Sequence, residues 1–415
     1  LTRWPLDNAE GLVKSEENLP VIFNEFCTTW NSPGAEKLAP LIDSMKNTGA
    51  SYFVIDAGWH SEKGIYGMSG LGDWTPSGEL YPHGFNAFVE SIRSAGFVPG
   101  VWFEFEMAQD SSRLFAEHPD WMLHLHGKPL TVAGDSRRFL DFRKKEVWDY
   151  LDERLIGLLK EYGFGYLKID YNASFTGADT PNGSPAEGAR EALDAVHEYY
   201  KHLRKELPEL VIEVCASGGH RLTAEWMRLG NMMSCSDTHE CECNPIVAAN
   251  AQMQIPLRFS QVWATLRADD SESRERYSLA SGFIGRLCIS GNIDKLSAAQ
   301  RNLMLEAIEF YKKIAPLIKT GESRVEQRFS SKSYNHPAGC QVFRRKGAGV
   351  ELLVVHSFAN CPEKIQIPVE EAQEVLESFK AVSVKAEKRG GMLFVKGLGN
   401  FSAAAFLLVR DISQA

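Results

Sequence analysis

At 415 residues, with 44% hydrophobic and 24% charged side chains, the chain can bury a large core and is longer than one ordinary domain unless that domain is a barrel. Its formal charge of -9 argues against nucleic acid or an anionic membrane as a partner and favours a neutral substrate. Eight scattered cysteines read as reduced thiols, and neither a membrane-spanning run nor a signal-peptide core is visible, so a cytoplasmic protein is the default, although a mature secreted form would look the same.

In chain order, β-like apolar runs alternate with amphipathic helices, the pattern of a parallel α/β fold. Residues 21–26 predict a first strand, and a helix over 35–48 follows, started by Pro33-Gly34 and ended by Gly49. The second strand is 52–56. A loop over 58–81, rich in glycine and aromatics, leads to a helix at 86–95 and a third strand at 98–106. Helices near 111–118 and 145–162 flank a segment with hairpin character at 122–130, and the fourth strand, 165–172, ends in charge. After a loop at 176–183 come a helix over 186–206 and a fifth strand at 210–215. Shorter runs at 231–235, 258–263 and 286–289 complete eight strand-helix units, and the apolar side of a last helix, 297–320, seals an expected (β/α)8 TIM barrel spanning 1–320 with a short lead-in. From about Gly321 short alternating strands, such as 341–345, 351–357, 392–396 and 403–409, predict a small C-terminal antiparallel β-domain, sandwich-like, over 321–415. With no low-complexity linker, it is expected to pack directly on the barrel.

The charged strand ends carry the functional signal. Asp56 closes the second strand, Glu104 and Glu106 the third, Lys168 and Asp170 the fourth, and Asp237 follows the sixth. In a barrel these converge on one mouth, where substrates bind. Lys168 and Asp170, two positions apart, point to the same side, and an ion pair closing the strand is the plainer reading of them. Several carboxylates near Trp59, Trp74 and Trp102 describe a carbohydrate site, in which acids accept sugar hydroxyls and aromatic faces cover the C–H side of the ring. A metal site is the competing use of acidic clusters, but His60, His83 and His220 lack the pairing that catalytic zinc needs. Cys235, His239, Cys241 and Cys243 form a candidate soft-metal cluster whose spacing fits no standard zinc module. Neither metal nor cofactor is expected.

Ile55-Asp56-Ala57-Gly58-Trp59, Leu71-Gly72-Asp73-Trp74, Trp102-Phe103-Glu104-Phe105-Glu106-Met107, Glu117-His118-Pro119-Asp120-Trp121, Lys168-Ile169-Asp170-Tyr171-Asn172, Cys215-Ala216-Ser217-Gly218-Gly219 and Ser236-Asp237 follow one another in an order that resembles glycoside hydrolase family 36, the retaining α-galactosidases and their relatives in the wider melibiase clan. The resemblance runs from about Pro20 to Leu317. It implies a TIM barrel with Asp170 as nucleophile, Asp237 as general acid/base, and Asp56, Trp102, Lys168, Asn172, Cys215 and Gly218 lining the glycone subsite. The expected activity is hydrolysis of terminal α-galactosides or closely related sugars. An α-N-acetylgalactosaminidase or a transglycosylase on the same scaffold, and a non-catalytic sugar-binding barrel, are the alternatives.

A retaining mechanism needs one ionised and one protonated carboxyl roughly 5 Å apart. Lys168 would lower the pKa of Asp170, while Asp237 must be held protonated by burial or nearby negative charge. Taken alone, Asp237 reads equally well as a helix N-cap, and Gly218-Gly219 as a plain turn or as backbone approaching the sugar. Glu104 and Glu106 read equally well as site acids or as ion-pair partners, and are left out of the site.

The chain also departs from the family pattern. Ala57 replaces the second acid of an Asp-Asp-Gly-Trp motif that grips galactose hydroxyls, Phe26 stands near a usual tryptophan, and Arg137 or Arg138 substitutes for an expected arginine. No counterpart of the family's large N-terminal β-sandwich precedes residue 21, which leaves pocket closure and oligomeric state, a homo-oligomer included, open.

Overall fold

Eight parallel strands, β1 (Val21–Asn24), β2 (Ala50–Ile55), β3 (Val98–Phe103), β4 (Tyr166–Ile169), β5 (Val211–Val214), β6 (Met232–Ser234), β7 (Ser260–Leu266) and β8 (Arg286–Gly291), close into a barrel in sequential order, β8 pairing with β1. This computed structural model describes residues 13–62, 69–131, 136–181, 183–238, 242–331 and 333–410. The strands read as nearly continuous apolar runs because both of their faces are covered. Ile22, Tyr52, Tyr166, Met232, Trp263 and Cys288 pack together in one cluster, whereas Phe23, Phe53, Phe103, Leu167 and Ile212 join the main hydrophobic core with the helices. Glu16, at the end of a short turn of helix, joins Arg286 Nη1 at 2.7 Å and Tyr52 Oη at 2.7 Å, tying the lead-in segment to β2 and β8.

The helix Ala298–Thr320 starts with a reciprocal Ser297/Gln300 capping box and buries Leu303, Met304, Ala307, Ile308, Tyr311, Ile314 and Leu317, a stripe of three- and four-residue spacing. From Glu322 the strands are antiparallel. A five-stranded sheet runs in the order Glu322–Ser331, Ala338–Gly347, Val350–Ser357, Ala403–Val409, Glu374–Phe379, and a three-stranded sheet joins Lys364–Pro368, Met392–Lys396 and Lys385–Arg389. The larger sheet alternates between two cores. Val342, Leu353, Val355, Ala404 and Phe406 pack with Ile365, Leu393 and Val395 of the smaller sheet, whereas Phe343, Leu352, Val354, Ala405 and Phe379 join the barrel core. No helix among the described residues is long and apolar enough to cross a membrane.

Several strands stop earlier than the apolar pattern predicts, each at the C-terminal mouth. β1 ends at Asn24 because Phe26 starts a short helix, Phe26–Thr29. β3 ends at Phe103, and the chain re-forms as Met107–Gln109, which pairs antiparallel with Arg137–Phe139. At these ends the backbone serves side chains: Asp56 N–H donates to Glu25 Oε1 at 2.8 Å and Asn172 N–H to Glu104 Oε1 at 2.6 Å.

Candidate active site

Asp170 leaves the end of β4 with both carboxylate oxygens fully engaged. Oδ1 accepts the backbone N–H of Tyr171 at 2.9 Å and of Ser217 at 2.8 Å, while Oδ2 accepts Asn172 Nδ2 at 2.8 Å and Trp102 Nε1 at 3.2 Å. Four donors satisfy the charged form, which is what a buried carboxylate requires. Burial alone would raise its pKa; Lys168 and these donors outweigh it and hold Asp170 below the usual carboxylate range.

Lys168, one inward-facing position earlier on β4, donates to Asp56 Oδ2 at 2.8 Å, and its ammonium lies 5.1 Å from the Trp263 ring centroid and 5.8 Å from that of Phe26. Burial pushes against its charge, but Asp56 and the neighbouring acids more than compensate and raise its pKa. Asn24 Nδ2 donates to the same Asp56 oxygen at 2.6 Å, so the two polar residues at the end of β1 fix Asp56 through side chain and backbone.

Asp237 follows β6 outside any helix or strand, and the next helix among the described residues starts at Asn244. Its pKa is pushed up to about 6, first by burial and then by the charges of Asp170, Asp56 and Glu213, against the pull of Lys168. Cys215 Sγ lies 3.8 Å from Asp237 Oδ1. Residues 216–219 all have positive φ, and this turn aims the Ser217 N–H at Asp170 while bringing Gly218 against the Asp237 backbone.

A cavity of about 350 Å³ at this mouth is lined by Phe26, Asn31, Asp56, Ala57, Trp102, Gln109, Arg137, Lys168, Asp170, Asn172 and Asp237. Six of the eight residues singled out from the sequence therefore converge on one space. Cys215 and Gly218 sit behind Asp237 rather than in the lining. Trp59 and Trp74 are buried beneath Trp102, with Trp59 Nε1 donating to the Trp102 carbonyl at 2.8 Å, so of the three tryptophans only Trp102 reaches the cavity.

The departures from the family pattern also find places here. Arg137, not Arg138, lines the cavity, and its Nη1 bonds both oxygens of Glu104 at 3.0 and 3.1 Å. Glu104 is pushed up to about 7 by burial and Asp170, against Arg137. Glu106 pairs with Arg221 at 2.6 and 2.7 Å, away from the cavity. His60 is buried, contacts the Ser69 carbonyl at 3.0 Å and is lowered by burial to about 4, and His220 is exposed; neither lines the space beside Ala57. Asn24, Glu25, Asn31 and Gln109 are site residues that sequence reasoning missed. The polar pair closing β1 is the one signal that points to any of them.

No group of three or more candidate metal ligands occurs among the described residues. His239 and Cys241, two of the four members of the Cys235/His239/Cys241/Cys243 cluster, lie outside the described residues.

A family model described as Melibiase matches residues 11–321. Alpha-galactosidase 1 of Pediococcus pentosaceus is 24% identical over 322 residues, covering 75% of this chain and 44% of that protein. Alpha-galactosidase Mel36A of Lactobacillus acidophilus is 25% identical over 312 residues, covering 73% of this chain and 42% of its own. The chain thus spans less than half the length of these curated relatives. A variant of the GH36 alpha-galactosidase AgaA of Geobacillus stearothermophilus, in complex with 1-deoxygalactonojirimycin, superposes with a TM-score of 0.80 at 19% identity, over 95% of this chain and 56% of that one. A second AgaA variant of the same fold is in complex with raffinose.

Proposed function

The chain belongs to the melibiase family, and from that premise we propose that it is a retaining α-glycosidase hydrolysing terminal α-galactosides, or closely related α-linked sugars, by double displacement. The observation that carries this reading is a pair of carboxyls at one cavity whose pKa values are driven apart, Asp170 downward and Asp237 up to about 6.

In the first step an Asp170 oxygen bonds to the anomeric carbon as the bond from that carbon to the leaving-group oxygen breaks, and Asp237 gives its proton to the departing oxygen. In the second, water attacks the anomeric carbon from the vacated side, Asp237 takes a proton from it, and the Asp170 ester is released as carboxylate. Lys168 keeps Asp170 ionised and, with Asp56, Asn172 and Arg137, offers donors and acceptors to the sugar hydroxyls. Trp102 supplies an indole wall. Cys215 and Gly218 act from behind, by setting the position of Asp237. Ala57 contributes a methyl group where the family places a carboxylate, which weakens the preference for galactose over analogues altered at the 4- and 6-positions.

A panel of aryl α-glycosides (galactose, N-acetylgalactosamine, glucose and arabinopyranose), with the first-formed anomer followed by proton NMR, tests the reading. Release of the α-anomer from galactose or a close relative is expected. Initial release of the β-anomer, or no turnover of any member, contradicts it.

A further inference from the structure

A second and larger cavity lies at the floor of the barrel, where the strands begin and opposite the mouth at which they end. Its volume is about 890 Å³, and it opens between the residues that lead into β7, the end of the helix Ala298–Thr320 and the start of the strand Glu322–Ser331. Four cations line it, Arg258, Lys319, Arg324 and Arg345, against one carboxylate, Glu322. In a chain with a formal charge of -9, such a concentration of positive charge is a local feature that composition does not explain.

Two of the four have a structural task. Arg345 is buried and spends its guanidinium on neutral acceptors: Nε on the Leu317 carbonyl at 2.6 Å, Nη2 on the Ile318 carbonyl at 2.5 Å and Nη1 on Ser323 Oγ at 2.6 Å. Lys319, in the last turn of the same helix, donates to the Glu17 carbonyl at 3.0 Å. Positive charge is favourable at a helix C-terminus, which accounts for this pair. It does not account for Arg258 and Arg324, which lie on other elements, the helical turn Leu257–Phe259 and the strand Glu322–Ser331. No hydrogen bond or ion pair among the described residues engages either of these guanidiniums. Arg258 stands instead beside another cation, Arg286, which donates to the Arg258 carbonyl at 3.4 Å and is itself paired with Glu16. Burial and then the charge of Arg286 lower the pKa of Arg258, against Glu16, and burial pushes Arg345 down to about 10. A cavity walled by guanidiniums whose charge the fold opposes is short of an anion.

A guanidinium fork matches the oxygens of a phosphate group, and a phosphate monoester brings a charge of about -1.5 to -2 at neutral pH. The space is larger than a phosphate group alone would fill, and Met253, Pro256 and Val325 give it an apolar side. We propose that the floor cavity binds a phosphate monoester of a small organic compound, with the phosphate held by Arg258 and Arg324 and the organic body against the apolar side. This cavity shares no lining residue with the catalytic one, so its ligand is distinct from the glycoside.

The test is titration calorimetry of the full chain with inorganic phosphate, glucose 6-phosphate and adenosine 5′-monophosphate, and with glucose and adenosine as uncharged controls, in wild type, Arg258→Gln and Arg324→Gln. At least one of the two esters should bind with a Kd of about 0.1 mM or tighter, roughly tenfold more tightly than inorganic phosphate and than its own uncharged control, and each substitution should weaken it roughly tenfold. The melting temperature reports that the variants are folded, and neither guanidinium makes a bond that the fold needs. Absence of ester binding, inorganic phosphate or the uncharged control binding as tightly as the ester, or ester binding that survives either substitution unchanged, overturns the proposal.

Discussion

A methyl group at Gly218 would begin 2.0 Å from the backbone nitrogen of Asp237, and Gly218 holds a φ of +64°. The turn after β5 and the acid after β6 therefore fit together only because position 218 has no side chain. The same turn delivers the Ser217 N–H to Asp170, so one strained run of residues positions both carboxyls.

Gly218→Ala is expected to damage catalysis out of proportion to stability. Displacing Asp237 by even a fraction of its present contact should lower kcat/KM on substrates with poor leaving groups about 100-fold, with a smaller loss on aryl glycosides that need little protonation. Wild-type kinetics in a folded Gly218→Ala variant, monitored by its melting temperature, would contradict this role.

The pH dependence follows from the two opposed shifts. Catalysis needs Asp237 protonated and Asp170 ionised, so kcat/KM should be bell-shaped, with its alkaline limb near the value of about 6 set by Asp237 and its acid limb below the usual carboxylate range. Asp237→Ala, assayed with an activated leaving group, should lose the alkaline limb and keep the acid one. Persistence of the alkaline limb in that variant would assign it to another group.

Ala57 tests glycone specificity. It lines the cavity beside Asp56, and neither His60 nor His220 fills the place of a second carboxylate there. A missing charged hydrogen bond is worth about 1.5 to 3 kcal/mol, or roughly 10- to 150-fold in kcat/KM, so an arabinopyranoside should compete with galactoside in wild type. Ala57→Asp should restore galactoside selectively. A wild-type preference for galactoside of roughly several thousand-fold, together with losses on both substrates in Ala57→Asp, would mean that another group makes the contact.

Glu275 offers a stability test away from the site. Neither of its oxygens has a hydrogen-bond partner among the described residues, and burial, helped by Asp270, pushes it up to about 8. A carboxyl raised in the folded state contributes its full stability below the unfolded pKa and loses it as pH rises through the folded value. The melting temperature of Glu275→Gln should therefore match wild type near pH 4.5 and exceed it increasingly up to about pH 8. A constant difference across that range would show that Glu275 does not titrate as argued.

The barrel was legible because eight apolar runs alternate with amphipathic helices, and local periodicity survives without knowledge of tertiary contacts. Strand ends were less so. Residues 104–106 look like more of β3, yet the chain turns there because Glu104 must meet Arg137 and the Asn172 N–H, partners remote in sequence. The same division runs through the site. Asp56, Lys168, Asp170 and Asp237 end or follow strands, and the barrel topology alone brings them together. Asn31 and Gln109 come from a loop and a short ribbon whose places depend on the close approach to Gly58 and on Gln109 N–H bonding the Leu71 carbonyl at 2.9 Å, and no pattern in the chain announces either. Cys215 and Gly218 belong to a site motif, but their sequence does not say that they face Asp237 rather than the cavity.

The most direct test of the central claim is to trap the covalent intermediate. Asp237→Ala retains the nucleophile but lacks the base that activates water, so incubation with an aryl α-galactoside should let the glycosyl-enzyme accumulate. Mass spectrometry of the quenched, digested protein should find one hexosyl group, attached to Asp170, and Asp170→Ala should carry none while regaining turnover with azide as β-galactosyl azide. A hexosyl group on any other residue, or full activity in Asp170→Ala without azide, would contradict the account.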